Sequence, residues 1–144
     1  MPRGDPETIR RVLGHRVWAV VGLTNHTWRD AYGVARFLAR HGKTIIPINA
    51  SGEAVADWTG YRTLADVPVP VDVVDLFRRS SEAGVHVDEA IAIGSKAVWL
   101  QLDVIDEAAA DRAEAAGLDV IMDHCPAIEW PVHGPTSAAG DDYP

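Results

Sequence analysis

Short, unbroken apolar runs alternate along this chain with segments of helical spacing, and few folds accommodate that alternation. The runs are Val17-Trp18-Ala19-Val20-Val21, then residues 43–49, 71–77, 96–101 and 118–122. A strand buried on both faces of a parallel sheet reads as a continuous apolar stretch rather than as an apolar–polar alternation. Helices are expected over residues 5–13, 30–41, 82–93 and 106–116. Asp5 is the N-cap of the first, with Pro6 at the position where a missing N–H costs nothing. In the second, Val34, Phe37 and Leu38 share one side with Ala31 and Ala35, and Gly42 supplies a stop. Gly94 closes the third, and the alanine-rich fourth stops at Gly117. Pro47 cannot donate to a ladder, so its strand is expected to end near it or to lie at an edge. Between residues 50 and 70 the pattern weakens into turns, with a one-turn capping arrangement at residues 63–66. Strand–helix alternation of this kind predicts an α/β fold: a doubly wound, parallel five-stranded sheet with helices on both faces, joined by right-handed crossovers.

At 144 residues, with one cysteine, Cys125, the chain is expected to form one domain over residues 1–130 in a reducing, cytoplasmic setting. Residues 131–144, rich in proline, glycine and small side chains, are expected to form a flexible tail. Thirteen basic against twenty-one acidic residues leave a net charge of −8, which disfavours nucleic acid as a partner. No apolar run is long enough to span a bilayer, and residues 1–6 lack the apolar stretch of a secretory signal.

In open parallel sheets, ligands bind beyond the carboxyl ends of the strands, where strand order reverses. Those ends gather Gly22, Leu23, Thr24 and Asn25; Ile48 and Asn49; Phe77, Arg78 and Arg79; Gln101; and Asp123, His124 and Cys125. The first helix after Gly22 offers N–H groups and a positive dipole end to an anion, and Arg29, Arg78 and Arg79 add planar guanidinium donors. A phosphate-bearing ligand follows. Blander readings stand beside it: Gly22 and Asn49 as turn residues, Arg78-Arg79 as solvated charge, His124 as a hydrogen-bonded histidine and Cys125 as a small buried hydrophobe. The nicotinamide fingerprint is missing, since Thr24 and Thr27 stand where glycines would and Asn49 replaces the acidic residue after the second strand. The Walker phosphate loop is missing too, and no histidine or cysteine spacing suits zinc.

Assembled, these residues resemble the small stand-alone bacterial CoA-binding proteins, whose Rossmann-like, NAD(P)-binding-like domain is also that of the succinyl-CoA synthetase alpha subunit. The similarity runs over residues 17–129. Its most specific parts are Val20-Val21-Gly22-Leu23-Thr24 with Arg29, Ile46-Pro47-Ile48-Asn49, the stretch 71–80 ending in Phe77-Arg78-Arg79-Ser80, residues 88–101, and residues 115–125 ending in Met122-Asp123-His124-Cys125. The chain departs from the family at Ala50, where a proline usually follows the asparagine, and at His26 and Trp28 in the first loop.

The resemblance implies coenzyme A, or an acyl-CoA, across the strand ends. The loop at Gly22, Leu23, Thr24 and Asn25 with Arg29 would hold the pyrophosphate, and Ile48-Asn49 would meet the nucleotide end. Phe77 and Arg78 would line the adenosine or pantetheine path, and Gln101 with the Asp123–Cys125 turn would approach the pantetheine arm. It implies a binding module without catalysis, because ligation in the synthetases uses a phosphorylated histidine on a second domain. Two alternatives remain open: an enzyme acting on CoA thioesters through Asp123, His124 or Cys125, and a binder of another nucleotide. A further alternative is a regulatory subunit that docks onto a partner through Trp58 or Trp130, and the macromolecular partners considered are a second copy in a homo-oligomer and an acyl-CoA enzyme.

Overall fold

Side chains of each strand divide between two apolar layers: from the first strand, Trp18 and Val20 enter one, Ala19 and Val21 the other. The computed structural model describes residues 3–135. Its five strands are β1 (Val17–Val21), β2 (Thr44–Ile48), β3 (Val73–Leu76), β4 (Ala97–Leu100) and β5 (Asp119–Met122), all parallel in the order β2-β1-β3-β4-β5. The helices are α1 (Pro6–Leu13), α2 (Asp30–Arg40), α3 (Ser80–Ala92), α4 (Glu107–Ala115) and α5 (Pro126–His133). The side of Trp18 is covered by α1, α2 and α5, and the side of Ala19 by α3 and α4. This is the Rossmann-like α/β sheet that the alternation predicts. Pro47 sits in β2, an edge strand whose only strand partner is β1, so its missing N–H falls on the side away from β1, where Tyr61 makes an isolated bridge to Ile48.

Two tryptophans anchor the three-helix side. Trp18 and Trp99 lie with ring centroids 5.9 Å apart, both fully buried. Each indole N–H has a partner: Trp18 donates to the His15 carbonyl at 2.9 Å and Trp99 to the His124 carbonyl at 2.8 Å. The second bond ties the turn after β5 to β4.

Four features differ from the sequence reading. Residues 131–133 are the last turn of α5, not the start of a tail. Pro126 opens that helix at the tolerated first position, and Trp130 packs edge-on against Phe37 with centroids 6.1 Å apart, so the helix continues across Pro131. The remainder of the expected tail, 136–144, lies outside the described residues. Trp130 is therefore a core side chain, 6 % exposed, rather than a docking residue. Thr63 precedes a 3-10 turn (Leu64–Asp66) without capping it by its side chain. Arg3, unread in the sequence, has a buried side chain paired with Glu107, with Asp111 at 2.5 Å and with Glu114 at 3.1 Å on α4. Its carbonyl accepts from the Met122 N–H at 2.9 Å, which binds the N-terminal segment to β5.

Asp75 is the anomaly of the sheet. It lies in β3 between Val20 and Trp99, fully buried, and neither carboxylate oxygen has a hydrogen-bond partner. Burial without a partner pushes its pKa well above the ordinary carboxylate value, so the folded protein holds it neutral. Below the unfolded-state pKa both states bind the proton and nothing is lost. As pH rises past that value, the unfolded chain releases the proton while the folded one keeps it, and stability falls. Asp75→Asn removes this dependence. The difference in melting temperature, variant minus wild type, is expected to grow from pH 4 to pH 8; a difference independent of pH would show that Asp75 is ionised in the fold.

Candidate functional site

Strand order reverses between β1 and β3. The chain leaves β1 for α2 on one face and leaves β3 for α3 on the other, which opens a crevice at the carboxyl edge. Gly22 makes the crevice tight. Its φ of +95° suits glycine, and a Cβ there would lie 2.7 Å from the Phe77 carbonyl oxygen. The Gly22 N–H donates to the Ile48 carbonyl at 2.8 Å and the Phe77 N–H to the Val21 carbonyl at 3.0 Å. The exits of β1, β2 and β3 are thereby drawn together.

From this point a cleft of about 750 Å³ runs between α2 and α5, within the range of ligand sites. Arg29, Gly33 and Phe37 line it from α2 and its N-cap, Phe77 and Arg78 from the β3 exit, Gln101 and Leu102 from the β4 exit, and Cys125 and Ile128 from the start of α5. Two helix N-termini therefore face it. Neither Arg29 nor Cys125, the N-caps of α2 and α5, caps its helix by a side chain, whereas Asp5 and Asp106 do so on α1 and α4. The first-turn N–H groups of α2 and α5 are thus not covered by a capping side chain, and the dipoles favour an anion there. Arg29 is exposed and its guanidinium pairs with no side chain among the described residues, while Arg78 bonds Glu82 at 2.5 Å. Trp28 stands at the mouth, 76 % exposed and stacked on His26 with centroids 4.7 Å apart.

The candidates named from the sequence separate into two groups. Arg29, Phe77, Arg78, Gln101 and Cys125 line the cleft. The others are not among its lining residues. Leu23 is a core residue, and its carbonyl accepts from Asn49 Nδ2 at 3.0 Å. Asn49 is itself buried; Nδ2 also reaches the Glu53 carbonyl at 3.1 Å, and Oδ1 accepts the Glu53 N–H at 2.9 Å. Asn25 donates to the Ala54 carbonyl at 2.8 Å and to the Glu53 carboxylate at 2.7 Å. Thr24 Oγ1 accepts the His26 N–H at 3.3 Å, and Ile48 is buried in β2. Arg79 is exposed as the residue before α3. Asp123, at a φ of +64°, accepts the Asp103 N–H at 2.8 Å. His124 Nδ1 lies 3.2 Å from Glu129, and its Nε2 packs so close to Gly4 that a Cβ there would sit 2.0 Å away. Neither nitrogen turns toward Cys125's cleft, so Asp123, His124 and Cys125 do not form a nucleophile–base constellation. Gly33 and Ile128 were not read from the sequence, because their facing depends on how α2 and α5 pack together.

The CoA binding domain family matches residues 16–131, most of the chain. The chain belongs to that family. The curated protein YneT of Bacillus subtilis is 29 % identical over 107 residues, 74 % of this chain and 79 % of YneT. A hypothetical protein from Pyrococcus horikoshii has a solved structure that superposes with a TM-score of 0.86 at 31 % identity, covering 92 % of this chain and 96 % of that one. A dinucleotide-forming acetyl-coenzyme A synthetase of Ca. Korarchaeum cryptofilum shares the fold at a TM-score of 0.68 and 22 % identity, covering 78 % of this chain and 27 % of the synthetase. No cluster of three or more histidine, cysteine or acidic side chains suited to a metal occurs among the described residues, and no helix among them is long and apolar enough to cross a membrane.

In this CoA-binding domain the Asn49 amide clasps the loop after β2 to the loop after β1. Asn49→Ala leaves the Leu23 carbonyl and the Glu53 N–H without those partners, which costs about 1–3 kcal/mol. Urea unfolding is expected to show a free energy of unfolding lower by that amount, and with it a lower midpoint; an unchanged midpoint would mean that the clasp contributes nothing to the fold.

Proposed function

We propose that the protein binds coenzyme A, free or acylated, along the cleft and catalyses no reaction of it. The observation that carries this reading is the coincidence of Arg29 and Arg78 with the uncapped start of α2 at the point where strand order reverses. In this reading the pyrophosphate lies against Arg29 and the first turn of α2, where guanidinium forks, N–H groups and the helix dipole act together. Glycine at position 22 lets the backbone of the β1 exit approach Phe77, so no side chain stands between the loop and the ligand. The remaining cleft, with Phe77, Gln101 and Leu102, is of mixed apolar and amide character and suits a pantetheine arm. Membership in the CoA binding domain family supports the ligand class. His124 is not among the residues that line the cleft and its Nδ1 lies against Glu129, which supports a binding role over thioester catalysis.

Calorimetry with CoA, ADP and NAD is the direct test. CoA is expected to bind clearly tighter than either nucleotide, since only CoA carries the pantetheine arm; equal affinities would leave a general nucleotide site in its place. Arg29→Ala is expected to weaken CoA binding by about 10- to 100-fold, the worth of one charge-assisted contact. The melting temperature of the ligand-free variant is expected to match that of the wild type, because Arg29 is exposed and bonds no side chain in the fold.

A further inference from the structure

The far end of the cleft carries two groups that phosphate recognition leaves unused. Cys125 is a free thiol, 7 % exposed, and it lines the cleft at the N-terminus of α5. Gln101 lines the same wall from the β4 exit; it is 6 % exposed, and its Oε1 is buried with no hydrogen-bond partner. A buried amide oxygen without a donor is rare in a fold and suits an incoming N–H. The pantetheine arm carries two amides and ends in a sulfur.

The spacing fits the order of those groups. From Gly22 after β1 to Cys125 after β5 the edge of the sheet crosses β3 and β4, three inter-strand steps or about 14 Å. An arm whose phosphate end lies at Arg29 and the Gly22 loop therefore passes Gln101 with its amides and brings its sulfur to Cys125. We propose that Cys125 captures coenzyme A covalently, as a mixed disulfide, by thiol–disulfide exchange with a CoA-containing disulfide. This rests on the reading of the cleft as a CoA site. In the step, Cys125 loses its proton and its sulfur attacks the CoA sulfur of the incoming disulfide. The old S–S bond breaks, the Cys125–CoA bond forms, and the departing thiolate takes up the proton. No electrons are gained or lost overall. The positive end of the α5 dipole lies at the attacking sulfur. His124 takes no part, since both of its ring nitrogens face Glu129 and Gly4. Selectivity comes from the cleft, which holds the CoA portion beside the thiol and raises its effective concentration there.

The test uses the full chain, reduced and freed of ligand, and two disulfides: the CoA dimer and glutathione disulfide. Intact mass is read after acid quench without reductant. The expected result is an increment of one CoA less two hydrogens, removed by dithiothreitol and absent in Cys125→Ser. Its formation is expected to be at least about tenfold faster than the glutathione adduct, and to slow in Arg29→Ala. Equal rates with the two disulfides would reduce Cys125 to an ordinary reactive thiol and overturn the proposal. Calorimetry of the wild type with CoA under dithiothreitol separates the two layers. Reversible binding without an adduct from the CoA dimer overturns covalent capture and leaves the CoA site standing. Absence of both overturns the CoA reading as well.

Discussion

A parallel ladder has to be covered on both faces, and its strands have to be rejoined by crossovers that run back over the sheet. That requirement organises this protein. Trp18, Val20, Val73, Trp99 and Ile121 form the floor under α1, α2 and α5, while Ala19, Val21, Val74, Val98 and Val120 form the floor under α3 and α4. With both faces committed to packing, the carboxyl edge is where backbone groups and polar side chains meet solvent. The reversal between β1 and β3 parts the helices there, and α2 and α5 turn their N-termini to the resulting cleft. The site is thus a consequence of how the sheet is covered.

Polar residues at that edge do two kinds of work. Asn49, Asn25 and Asp123 spend their hydrogen bonds on the backbone of neighbouring loops, and His124 is held between Glu129 and Gly4. Such side chains fix the loops. Arg29 and Gln101 keep capacity in reserve: one guanidinium in solvent without a side-chain partner among the described residues, one buried amide oxygen without a donor. A binding surface needs both kinds, since a ligand can be held only by groups that the fold has not already satisfied, on loops that it has. The long-range ties are equally physical. The Trp99 indole reaches the His124 carbonyl, so the turn that presents Cys125 is fixed to β4.

Asp75 sits in the same layer as this scaffold and is of another nature. A neutral carboxyl with no partner in the middle of a parallel sheet weakens the fold as pH rises, and no side chain in the described structure compensates it. It shares a face and neighbouring strands with Gln101, two positions beyond its register partner Trp99. The layer beneath the cleft therefore contains two unsatisfied polar side chains where an apolar core would contain none.

Much of the architecture was written locally. Apolar runs of strand length, the Asp5-Pro6 start of α1, the Asp106 cap of α4 and the glycine stops each act through neighbouring residues, so the elements and their alternation follow from sequence. So do the strand ends as the place where Arg29, Phe77, Arg78, Gln101 and Cys125 gather, and these five line the cleft. Tertiary structure alone decided the rest. Asn49, His124 and Cys125 are equally polar or reactive on paper, and only packing turns one into a loop clasp, one toward Glu129 and one into the cleft. The clamp of Arg3 on α4, the burial of Asp75 and the continuation of α5 through Pro131 depend on partners far away in the chain. Sequence specifies what a side chain is able to do. Long-range contacts consume or preserve that capacity, and what they preserve here lies in the cleft.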